Sequence, residues 1–231
     1  VTPTARRHAA LHPTARAQRM AASWTMTGVS SLDGSSTRDF GARNENADGA
    51  GAPQVFLAAV AALEATRIRP EVRIQPLRPP QRLAPWSHAI GAEVLDAAGE
   101  EIASGRMVVL YDPDGHEGWN GVLRLVAFAS AEVEDDIATD PSLPEVGWSW
   151  LMDALADRAA AHTAAGGTVT QTTSSRFGDI ADTATISRTV ELRGSWTALD
   201  SDLGPHLLAF ADLLSQAAGL PPEGVATLGP R

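Results

Sequence analysis

Near the C-terminal end of the chain, apolar and polar positions alternate. Ala184, Ile186, Val190, Leu192, Gly194 and Trp196 fall on one side, and Thr189, Glu191, Arg193, Ser195 and Thr197 on the other. A period of two over Thr185 to Thr197 predicts a strand with one packed and one wet face, in a sheet covered on one side only. Arg188 interrupts the apolar column, so that end of the strand is either exposed or supplied with a partner. The same period places Leu123, Leu125, Ala127, Ala129, Ala131 and Val133 on one face of a strand over Val122 to Val133. Ile90, Ala92 and Val94 alternate with Gly91 and Glu93, and a turn at Ala98 to Glu100 leads to a further strand at Met107 to Tyr111. Short connections make these three an antiparallel meander. Thr168 to Ser174 is the remaining strand.

Elsewhere the period lengthens. Pro53 opens a helix in which Phe56, Val60 and Leu63 recur with Ala59, ending near Arg67. Trp148, Leu151, Met152, Leu155 and Ala159 form a second helical stripe. Ser142 followed by Glu145 fits a capping box for it, with Pro144 in its first turn and Gly166-Gly167 at its end. Trp148 should plug the helix–sheet interface, and Gly147 should let the helix come close to the sheet. Leu203, Leu207, Phe210, Leu214 and Ala217 make a closing helix, stopped by Gly219 and Pro221-Pro222. Between Arg69 and Trp86 five prolines predict extended chain, with a short edge strand available at Val72 to Ile74. The expected fold is α+β: an antiparallel five-stranded sheet with helices on one face, in the order α-βββ-α-ββ-α. Residues 1–51 lack sustained periodicity and read as a disordered tail, 52–223 as a single domain, and 224–231 as a short tail. Valine at position 1 suggests an alternative start codon, with the true start at Met20 or Met26.

Composition narrows the chemistry. Cysteine is absent and all 18 basic residues are arginine, so thiolate chemistry, Schiff bases and a P-loop lysine are excluded. The net charge is −10, shared unevenly: residues 1–52 carry net +2 and residues 53–231 net −12. So acidic a body makes nucleic acid an unfavourable partner unless its arginines are focused on one face. No apolar run approaches the roughly 20 residues of a membrane span, and a cytoplasmic location is the default expectation.

The sequence contains no nucleophile elbow, zinc-binding H-E-x-x-H, dinucleotide fingerprint or P-loop. No catalytic residue, metal site or cofactor is therefore assigned. One loop, Asp112-Pro-Asp114-Gly-His116-Glu117, holds carboxylates and an imidazole able to ligate a hard cation or supply an acid and a base. The simpler reading is turn geometry. Arg73, Arg78 and Arg82, with Arg67 and Arg69, form a basic strip beside Trp86. The strip is either a docking surface for an acidic partner or single-stranded RNA, or a solvated wrap paired with an acidic body. Trp150 falls off the apolar stripe. Either a neighbouring helix covers it, or it marks a partner or homodimer surface.

Arg69-Pro-Glu-Val-Arg73, Pro80-Gln-Arg-Leu-Ala-Pro85, Leu143-Pro-Glu-Val-Gly-Trp-Ser-Trp150 and the segment from Trp196 to Pro222 resemble an uncharacterised actinobacterial family, domain of unknown function three thousand. The resemblance spans about residues 52–223 and brings no activity with it. The element order also resembles the type III secretion chaperone-like fold, whose members are small acidic domains that dimerise and bind proteins. The reading that follows is a non-enzymatic, chaperone-like or adaptor domain with an unknown protein partner. The alternatives are an accessory RNA-processing factor using the arginine strip and a small metal-dependent enzyme.

Overall fold

A computed structural model describes residues 51–177 and 186–223. The expected N-terminal tail, the last residues of the C-terminal tail and the start of the strand assigned to Thr185 lie outside them. The first element is helix α1 (Gln54–Ala65). Four strands follow: β1 (Val72–Leu77), β2 (Trp86–Leu95), β3 (Glu101–His116) and β4 (Gly121–Glu132). Helices α2 (Asp135–Ala138) and α3 (Leu143–Asp157) lead to β5 (His162–Ser175), β6 (Ile186–Ala198) and the closing helix α4 (Gly204–Ala217).

The α+β class and the antiparallel sheet stand; the strand number does not. The sheet has six strands in the order β1-β2-β3-β4-β6-β5, every neighbour antiparallel. The sixth is β1, which pairs with β2 along its whole length, Val72 against Val94 through Leu77 against Ala89. Pro76 is tolerated because β1 is an edge strand.

Other boundaries shift for local reasons. β3 continues through Asp112 to His116, where a loop was expected, and its pairing with β4 is irregular between Tyr111 and His116. Gly166 and Gly167 lie inside β5 and end no helix; α3 stops at Asp157, and Ala159 turns the chain with φ +51°. The capping box is not formed. Instead Asp140 Oδ1 accepts from the Ser142 amide (2.8 Å) and hydroxyl (2.7 Å), which holds the Asp140 carboxyl below its usual pKa. Arg188 has a partner, the Asp135 carboxylate.

Helices α3 and α4 pack on one face of the sheet, with α1 against α4. Small residues make this possible. Ala92, Gly105 and Ala129 stand in register across β2, β3 and β4. A Cβ on Gly105 would lie 2.9 Å from both Phe210 Cζ and Leu214 Cδ2 of α4. Gly167 and Gly194 face each other across β5 and β6, and Trp148 of α3 rests on that pair. Gly147 brings α3 to within 3.3 Å of Val169, as an added Cβ would measure it.

The opposite face is not simply wet. Ala89, Val108 and Leu110 are buried there, packed with Leu77, Ala84, Trp119 and Val126. Ala84 lies in the proline-rich connector after β1, which folds over this face; the Ser87 hydroxyl donates to the Pro80 carbonyl at 3.1 Å. Trp119 comes from the β3–β4 turn. One-sided cover therefore holds only beyond β4, over β6 and β5.

Candidate functional site

One hairpin carboxylate and the hairpin imidazole bond within their own turn. Asp112 Oδ1 accepts from the Asp114 amide (3.1 Å), and His116 Nδ1 accepts from the Gly118 amide (3.4 Å). The His116 ring lies 5.6 Å from that of Trp119, while Asp114 and Glu117 are exposed. Gly115 and Asn120 take the positive φ that the turn requires. Among the described residues, no group of three or more histidines and carboxylates is placed to hold a metal ion.

The arginines of the strip differ in setting. Arg69 is 9% exposed and structural: Nε and Nη2 grip the Glu71 carboxylate, and Nη1 donates to the Pro221 carbonyl at 3.1 Å. Those bonds lower the Glu71 pKa. Arg73 stands opposite Glu93 on the face away from the helices. Arg78 and Arg82 are exposed in the connector, Arg82 with φ +69°. Trp86 is half-buried on the helix-covered face, its ring 5.9 Å from Tyr111, which in turn meets Phe56 of α1 at 6.1 Å. Trp86 and Arg73 thus leave the sheet on opposite sides. Trp150 is half-buried against the main core, while Val146, one turn before it, is 41% exposed.

Two further histidines pack against the core side of the sheet, His206 buried and His88 half-buried. The Trp196 indole N–H donates to His206 Nδ1 at 3.0 Å, which fixes the imidazole proton on Nε2. Burial pushes His206 down to about 4, helped by nearby His162 and opposed by Asp200 and Asp202. His88 Nε2 is buried with no hydrogen-bond partner, and desolvation lowers that imidazole too.

Two surfaces were missed by the sequence reading. One is the outward side of α1, where Val55 (45% exposed) and Leu57 (38%) accompany exposed Ala58, Ala61 and Ala65. Glu64 is the only charged residue of that helix. Its signal was available: almost no polar residue interrupts Gln54–Ala65, so neither side is marked as wet. The other surface lies on the face of the sheet opposite the helices. There, register carries a row from Arg106 on β3 through Phe128 on β4 to Arg193 on β6. Arg193 lies over the Phe128 ring at 5.3 Å from its centroid. Arg124, two positions before Val126, is half-buried beside Ser195 and Thr197. This juxtaposition depends on β4 pairing with β6, which no local pattern reveals.

The molecule is an α+β domain with a six-stranded antiparallel sheet, helices on one face and, among the described residues, no group of three or more histidines and carboxylates placed to hold a metal ion. By its sequence, the chain belongs to the family described as protein of unknown function DUF3000, which matches over residues 52–226. No curated protein and no solved structure matches it. No described helix is long and apolar enough to cross a membrane.

Proposed function

We propose that the protein is a non-enzymatic interaction domain, of adaptor or chaperone-like type, that self-associates through α1. The observation behind this reading is the outward face of that helix. Val55, Leu57, Ala58, Ala61 and Ala65 make most of it apolar, beside exposed Gln54 and Glu64, and its alanines make it flat. A helix apolar on every side is normally buried on every side. Interfaces between identical chains are the more apolar class, and a two-fold axis lets one such face cover its own copy closely. Val146 and Trp150 on α3 are a second candidate for the same association.

Sedimentation of the full chain tests it. The wild type should be a dimer, and Leu57→Glu a folded monomer. A dimer that also dissociates with Trp150→Ala extends the interface to α3. A wild-type monomer at all concentrations refutes self-association.

A further inference from the structure

The outer face of the sheet holds a cation in an unusual state. Arg124 donates from Nη1 to the Ala164 carbonyl (2.9 Å) and Thr197 Oγ1 (3.1 Å), and from Nη2 to Ser195 Oγ (2.6 Å). Every acceptor is neutral. Among the described residues, Arg124 takes part in no ion pair. Burial, with no counter-charge against it, lowers the Arg124 pKa. A half-buried guanidinium without a carboxylate carries a desolvation cost that an incoming counter-charge would offset. Three of its five N–H groups are engaged, which leaves donors for an incoming group.

The surroundings add apolar surface beside it, with Arg193 already paired to Glu191 at 3.2 Å. Val126 and Phe128 are the next two outward positions on β4, and both are half-buried. Arg193 covers Phe128 from one side, and Arg106 stands opposite Phe128 on the other. Three arginines and an apolar strip thus share one face of a region whose net charge is −12.

We propose that this face takes an extended, carboxylate-bearing segment of a partner protein, with one carboxylate on Arg124 and an apolar side chain on Val126 and Phe128. A guanidinium beside hydroxyl groups suits a planar carboxylate. A nucleic acid fits less well. One aromatic is a poor stacking platform, and the acidic body with Glu191 one row away repels a polyphosphate. The proposal rests on the interaction reading above but uses the side of the sheet away from α1.

The probe is a short acetylated oligoglutamate, titrated into the isotope-labelled full chain and followed by NMR of backbone amides and arginine side chains. Overall electrostatics alone would keep this peptide away. Shifts should centre on Arg124, Val126 and Ser195, and affinity should fall with salt. Arg124→Gln should weaken binding roughly tenfold, as expected for truncating one side of a charge pair, while Arg73→Gln leaves it unchanged. If Arg124→Gln does not fold, Arg193→Gln takes its place, with weakening of several-fold expected. No shifts, shifts centred on Arg78 and Arg82, or displacement by oligouridylate at equal length would each overturn the proposal. Any of these leaves the α1 reading standing, because sedimentation reports on that surface separately.

Discussion

Helices α1 and α4 are made of nearly the same material and meet opposite fates. Each is rich in alanine and leucine and carries a single carboxylate, Glu64 in α1 and Asp212 in α4. In α4, ten of fourteen residues are buried, whereas in α1 only Phe56, Ala59 and Leu63 are. The difference is position. α4 lies in the small-residue trench around Gly105, flanked by α3, and its Asp212 is gripped by Arg158 through bonds of 2.6 and 2.9 Å. α1 reaches the core along one side only, through Phe56, Ala59 and Leu63. Apolar sequence states a demand for burial; the fold decides whether one chain can satisfy it. α4 satisfies it within the domain, and α1 is left with a surplus that a second copy can cover.

The sharpest break of this symmetry is truncation in α4. Phe210→Ala removes a fully buried ring above Gly105 and should cost about 3–5 kcal/mol. Urea unfolding measures it, and a loss below 1 kcal/mol would mean that the trench collapses to fill itself. Acid makes the next largest change, because α4 also carries His206. Its pKa in the folded state is about 4, against roughly 6.5 when unfolded. The unfolded chain therefore takes up the proton first. The contribution is fully present above pH 6.5 and is lost as pH falls toward 4, by about 3 kcal/mol in all. Comparing the pH profile of His206→Gln with that of the wild type isolates this loss; identical slopes would disprove it. Gly105→Ala should cost about 1–3 kcal/mol by pushing α4 off the sheet. The smallest effect belongs to α1. Leu57→Glu should change monomer stability by within about 0.5 kcal/mol while abolishing association. A variant that unfolds instead would place Leu57 in the core and erase the contrast between the helices.

Much of this was legible in the sequence, for identifiable reasons. β4 and β6 repeat every second residue without competing signals, and α3 and α4 repeat at helical spacing. The Trp148 and Gly147 expectations hold because a helical stripe and a missing side chain both act locally. Asp112-Pro-Asp-Gly carries turn chemistry, which masked the extension of β3 to His116. His162 to Gly167 contains two glycines and no large apolar residue, so β5 seemed to start late. The outer-face arginines were invisible for another reason. Arg124 and Arg193 are far apart in the chain and come to one face of the sheet only through register.

The strand order also sets a schedule. β1 to β4 are joined by short connections and can pair as each is made, but the neighbour of β4 is β6. Synthesis must pass through α2, α3 and β5 before β6 arrives, a delay of seconds at about 5–20 residues per second. Throughout that time the nascent chain presents Leu123, Leu125, Val126, Ala127 and Phe128 along an open sheet edge. The β4 edge is therefore the last central edge of the sheet to be covered.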